Sequence, residues 1–179
     1  MKSVKVIILS LLAVGTLGIA SPVHAATLSK KDVSVSVKEA IKAFHSEYPD
    51  TDITSVELDS SFGKYFYEIE GRDDSVEYTA KIDAKSKKVS DKEKDRLDAD
   101  ERGYEKRTSD KLDLQDIISV TKASNIAKKE VDNGKATDWK LDKELDTTYW
   151  EVKIKDKSKS TEVMIDAKTG DVLSTEIDD

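Results

Sequence analysis

An offset of 83 residues maps one stretch of this chain onto another without a gap, so any fold must satisfy the same pattern twice. Ile82-Asp83-Ala84-Lys85, followed by Val89, returns as Ile165-Asp166-Ala167-Lys168, followed by Val172 (165 − 82 = 83). Ser36-Val37 returns as Ser119-Val120, Ala40 as Ala123, and Leu58-Asp59 as Leu141-Asp142. Tyr67-Glu68-Ile69 returns as Trp150-Glu151-Val152. Where residues differ, as at Val56 and Trp139, the apolar character is kept. This is an internal duplication of one structural unit.

The unit opens with a helix. Ser36-Val37-Lys38-Glu39 has the form of a capping box, and Val37, Ala40, Ile41 and Phe44 follow at helical spacing. Pro49 cannot continue the helix, so it ends near Tyr48. Strands come next. Val56 and Leu58, then Tyr65, Tyr67 and Ile69, then Val76, Tyr78, Ala80 and Ile82 alternate with mostly polar neighbours. One-sided alternation predicts an antiparallel sheet covered by the helix on a single face. Gly63 marks one turn, and Lys168-Thr169-Gly170 marks another in the second copy. Lys87 stands where Gly170 would be expected, so the first copy must turn differently or hold a lysine at positive φ.

The N-terminus reads as an export signal rather than as fold. Lys2 and Lys5 precede an apolar run from Val6 to Leu17, and Val23-His24-Ala25 supplies small residues at −3 and −1 of a cleavage site. The run is shorter than the roughly 20 apolar residues of a membrane span. Removing residues 1–25 takes away two lysines and no acids, shifting the net charge from −7 to −9 (−7 − 2). That acidity argues against nucleic acid as a partner. The chain has no cysteine, so neither disulfides nor a lipid-modified N-terminal cysteine are available. The expected organisation is signal peptide 1–25, leader 26–33, unit one 34–92, charged and partly helical linker 93–115, and unit two 116–179.

No reaction can be read from the residues, and the chain is expected not to be an enzyme. His45 is the one histidine left after cleavage at Ala25, and it has no cysteine or metal-ligand partner motif. Asp98-Ala99-Asp100-Glu101-Arg102-Gly103 begins like a calcium loop, but Arg102 at position 5 and Ser109 at position 12 spoil it. Neither a metal nor a cofactor is expected. Phe66 and Tyr149, equivalent positions on the polar side of the alternation (149 − 66 = 83), are the candidate partner contacts.

An aromatic-Glu-aliphatic strand followed by aliphatic-Asp-Ala-x-Thr-Gly-x-Val resembles the PepSY domain. The second copy carries this as Trp150-Glu151-Val152 and Ile165 to Val172, and the first as Tyr67-Glu68-Ile69 and Ile82 to Lys85, without the Thr-Gly. The resemblance implies an α+β fold of two tandem repeats, each a cystatin-like helix packed on a small antiparallel sheet. It also implies a non-catalytic secreted or cell-surface module that binds, and regulates or inhibits, an extracellular peptidase. The alternative is a structural or cation-binding envelope protein whose acidic surface has no specific protease partner.

Overall fold

A computed structural model describes residues 28, 32–131, 134–157 and 159–178. The expected signal peptide and most of the leader lie outside these described residues. In order, the elements are α1 (Val37–Glu47), β1 (Asp52–Ser61), β2 (Lys64–Arg72), β3 (Val76–Asp83), β4 (Val89–Arg96) and α2 (Tyr104–Asp110). There follow α3 (Val120–Ala127), β5 (Lys135–Glu144), β6 (Thr147–Asp156), β7 (Lys159–Asp166) and β8 (Val172–Asp178).

The duplication is visible in the strand registers. Val56 opposes Ile69 as Trp139 opposes Val152, and Tyr67 opposes Ile82 as Trp150 opposes Ile165. Even the irregularities repeat. A bulge lies between Ile53 and Ser55 in β1, and another between Ala136 and Asp138 in β5 (53 + 83 = 136). Both tight hairpins place two residues at positive φ, Phe62 and Gly63 at 49° and 74°, Leu145 and Asp146 at 47° and 66°. That pattern matches the right-handed twist of the flanking strands.

The repeated Asp-Ala pair explains itself in three dimensions. Asp83 Oδ1 accepts from the backbone N–H of Lys85 and Ser86, and Asp166 Oδ1 accepts from those of Lys168 and Thr169. These bonds hold both carboxyls below the usual range. The adjacent alanines are fully buried, and their carbonyls receive the chain entering each helix. Ser34 and Val35 N–H donate to Ala84 O at 3.0 and 2.9 Å, and Ile118 N–H donates to Ala167 O at 2.7 Å. The aromatic strand residue completes the strap. Tyr67 Oη donates to Val35 O at 2.8 Å, and Trp150 Nε1 donates to Ile118 O at 3.1 Å. Ser36 and Glu39 form the reciprocal capping box on α1, whereas Ser119 caps α3 alone because Lys122 replaces the acid.

The expectation of two separate small sheets is corrected. There is one eight-stranded antiparallel sheet in the order β4-β3-β2-β1-β5-β6-β7-β8. β1 pairs with β5 through Val56 opposite Leu141, Glu57 opposite Lys140 and Leu58 opposite Trp139. Glu57 and Lys140 are themselves equivalent (57 + 83 = 140), so the joint has a local two-fold axis through this pair. A one-sided sheet with an apolar first strand in each copy leaves two edges whose burial requires each other. Helices α1 and α3 pack on the same face, and one cluster of buried side chains runs through both units. Trp139, Trp150, Tyr67 and Phe44 are its largest members, each contributing on the order of 4–6 kcal/mol of apolar transfer as an upper bound.

The segment expected as a linker is fastened to the sheet. Its first residues, Glu93 to Arg96, continue β4, and α2 lies within it. Leu97 and Leu112 are buried, and Leu112 N–H donates to Ile53 O at 2.9 Å. Arg107 Nε and Lys111 Nζ both reach Asp52, at 2.6 and 2.8 Å, and Arg72 pairs with Asp110. Burial opposes the charge on Asp52, but Lys111 and Arg107 outweigh it and hold the carboxyl below its usual value.

The first copy does place a lysine at positive φ, since Lys87 adopts φ 62° where Gly170 adopts 85°. Gly170 is further constrained, because a Cβ there would lie 3.1 Å from Ile126 Cδ1. Gly170→Ala is therefore expected to destabilise the fold by about 1–2 kcal/mol, read as a lower urea midpoint at unchanged slope.

Candidate functional site

Helices α1 and α3 cover one side of the sheet; on the other, the open side, α2 is bonded to Asp52 and Arg72 where β1 begins and β2 ends, and charged strand residues occupy the middle. Alternation puts Glu57, Phe66, Glu68, Glu70 and Lys81 on the open side of the first half, and Lys140, Tyr149, Glu151 and Lys153 on that of the second. One row crosses the joint as Lys81, Glu68, Glu57, Lys140 and Glu151. Within it Lys81 Nζ lies 3.3 Å from Glu68, and Lys140 Nζ lies 3.5 Å from Glu57 and 3.1 Å from Asp142. Burial works against the charge on Lys140, yet Asp142, Glu57 and Glu70 hold its ammonium above the ordinary lysine value.

Phe66 and Tyr149 both lie on this face, each between two aspartates. Phe66 is flanked by Asp59 and Asp83, and Tyr149 by Asp142 and Asp166, an identical set about the two-fold axis. Three strand spacings of ~4.8 Å and four residues of ~3.4 Å put them roughly 20 Å apart. The faces agree with the sequence pattern, but the depths differ from it. Phe66 is half-buried with Lys81 Nζ 4.9 Å above its ring, a cation–π contact. Tyr149 is only 7% exposed, and burial, followed by Asp142 and Glu151, pushes its phenol up to about 12. It lines a shallow depression of about 370 Å³ that also takes in Glu57, Asp59, Lys140 and Asp142. Period-two alternation assigns a residue to a face; how deeply longer neighbours bury it is not in the pattern.

Other sequence features take structural roles. The His45 ring nitrogen Nε2 lies 3.1 Å from Thr51 O, pinning the end of α1 to the start of β1. The second half of the calcium-like segment is helix α2, and Arg102 Nε donates to Leu97 O at 2.7 Å. Among the described residues, no group of three or more His, Cys, Asp or Glu is arranged to hold a metal ion. A cleft of about 1120 Å³ on the helix side lies between the equivalent segments entering α1 and α3, with Ile41, Leu114 and Ile117 in its walls. Sequence reading misses it, because it exists only when the two halves face each other across the joint.

A family model described as "Peptidase propeptide and YPEB domain" matches residues 34–93 and again 117–176, the same 83-residue step (117 − 34 = 83). The chain belongs to the PepSY family. Each PepSY match begins at the strap that closes on Ala84 or near its counterpart on Ala167, and ends within the fourth strand of its half. A solved structure described as a "putative lipoprotein" from Clostridium difficile 630 is similar to this tandem PepSY chain. The two share 36% identity and a TM-score of 0.79, covering 85% of this chain and 99% of that one. No curated protein sequence matches. No helix among the described residues is long and apolar enough to cross a membrane.

The open face also contains an acid with a shifted titration. Burial first, then Glu77, pushes Glu70 up to about 7, with Lys140 opposing. The unfolded carboxyl titrates near 4.5, so between these values the native state binds the extra proton. The stability contributed by protonated Glu70 is full below the unfolded value and is lost as pH rises through about 7. Glu70→Gln is expected to raise the melting temperature at pH 8 by several degrees and to leave it nearly unchanged at pH 4.5. Melting curves across that range test the assignment.

Proposed function

We propose that this protein is an exported, non-catalytic binding module that docks on a secreted or cell-surface protein, a peptidase being the partner the family description favours. The observation that carries the reading is the repeated arrangement on the open face, half-exposed Phe66 between Asp59 and Asp83 and the deeper Tyr149 between Asp142 and Asp166. Both sets are held on one rigid sheet, so a partner that engages one meets the second at high effective concentration. The acids around them suit a partner surface bearing arginine or lysine. Export would remove residues 1–25, or 1–26, and leave Ala26 or Thr27 at the mature N-terminus. The cation-binding reading is less well supported, since Lys81, Lys140 and Lys153 already sit against the acids of the face.

The test uses a secreted thermolysin-like metallopeptidase as probe and measures both capture and inhibition by the full exported chain. Phe66→Ala should weaken capture at least tenfold while the melting temperature changes by under about 2 °C. Tyr149→Phe preserves packing and removes only the hydroxyl, so it should cost a smaller factor. Capture by both variants at the wild-type level in moderate salt would refute this use of the open face.

A further inference from the structure

The two outer edges of the sheet have opposite chemistry. β4 presents Asp91, Lys92, Glu93, Lys94, Asp95 and Arg96, and these residues are exposed. A charged row of this kind blunts an edge against pairing with another chain. β8 occupies the equivalent position in the second half (89 + 83 = 172) but carries Leu173, Ser174, Thr175, Glu176, Ile177 and Asp178, with two acids and no lysine or arginine. Val172, Leu173 and Ile177 are 38%, 49% and 65% exposed.

The difference extends to what lies above each edge. In the first half Lys92 Nζ reaches Glu47 at the end of α1, at 3.0 Å, and Lys94 Nζ lies 5.4 Å from the Tyr48 and Tyr78 rings. In the second half α3 ends at Ala127, the equivalent of Phe44, whereas α1 continues to Glu47. Thr175 and Ile177 stand where Lys92 and Lys94 would be. The outer edge of β8 thus carries Thr175 and Ile177 where β4 carries two lysines, beside the acids Glu176 and Asp178.

We propose that β8 is a self-association edge, and that its occupant is β8 of a second copy of this chain, paired antiparallel about a two-fold axis through Thr175. Side-chain faces match across an antiparallel two-fold only when the axis passes through a residue, and the choice among residues is decided by like-charge repulsion and by which axis brings the exposed apolar side chains together. An axis through Glu176 sets two glutamates directly opposite each other, which is unfavourable. An axis through Ser174 sets Ile177 against Asp171. The axis through Thr175 sets Ile177 against Leu173 and Glu176 against Ser174, with the two threonines in contact. Of the three axes this one alone sets the exposed Ile177 against another exposed apolar side chain, with Val172 opposite Asp178. The molecule already joins two of these units in the same way at β1 and β5, where the axis passes through Glu57 and Lys140. A two-fold perpendicular to the sheet keeps both open faces on the same side of a sixteen-stranded sheet. The joint is short, so the dimer is expected to be weak, with a dissociation constant of about 1–100 μM.

Sedimentation equilibrium of the full exported chain from about 1 μM to 1 mM tests this, with the absence of native cysteine allowing a second readout. The expected result is a reversible monomer–dimer equilibrium that Ile177→Lys weakens at least tenfold with little change in melting temperature. Cross-strand Cα distances of about 4.5–5.5 Å fall within disulfide reach. Thr175→Cys should therefore cross-link to a covalent dimer under mild oxidation at least tenfold faster than Lys92→Cys, the equivalent position on the β4 edge. A chain that stays monomeric to about 1 mM, or a Thr175→Cys rate no higher than that of Lys92→Cys, overturns the proposal. Capture of a different protein's strand by β8 with no dimer also overturns it.

Discussion

Three cross-strand pairs between β1 and β5 turn two small units into one molecule. The outer two pairs, Val56 with Leu141 and Leu58 with Trp139, lie on the helix side and are fully buried. The central pair lies on the open side, at the local two-fold axis, where a strictly identical repeat would place the same residue twice. Two glutamates there would repel beside Glu68 and Glu151, which flank them on the neighbouring strands. Lys140 in place of a second glutamate converts that repulsion into an ion pair with Glu57 and an attraction to Asp142. Departure from the repeat at this one position is what allows the repeat to close on itself.

With the joint made, the remaining geometry follows from the strap repeated in each half. Asp83 and Asp166 shape the hairpins, Ala84 and Ala167 offer their carbonyls to the chain entering the helices, and Tyr67 and Trp150 bond the same segment from below. The motif shared by the two copies is therefore a closure device between a hairpin and a helix start. Lys87 shows that the device tolerates about 1 kcal/mol of backbone strain when glycine is missing, partly offset by the 2.5 Å pair between Lys87 and Glu39.

The functional reading rests on what this closure leaves uncovered. The helices α1 and α3 are on one side, so the other side can offer its acids, lysines and Phe66 to a partner without disturbing the core. Binding there asks little of the fold, because the strands that carry these residues are anchored by Tyr67, Ile69, Trp150 and Val152 on the opposite face. Glu70, whose pKa is raised by burial, lies on the same face, which ties the stability of the open side to pH.

The sequence alone determined the unit, its duplication, the capping of α1, the end of that helix at Tyr48 and the faces of the alternating residues of β1, β2 and β3 and their counterparts, while β4 and β8 were not legible as strands by alternation. Those features depend on local chemistry and on period-two or helical spacing, which a linear pattern records. The face of Phe66 and Tyr149 was legible for the same reason. Only the tertiary structure decided that β1 and β5 pair, because an edge strand's partner depends on two surfaces distant in sequence. It also decided the depth of Tyr149, the fastening of residues 97–112 through Asp52, Arg107, Lys111 and the two buried leucines, and the cleft between the helix-entry segments. Each of these is set by long-range contact, and the charged segment before Leu112 has a composition equally suited to solvent. Burial depth and edge pairing belong to the assembled sheet, where the same alternating residue is either a surface contact or part of the packing.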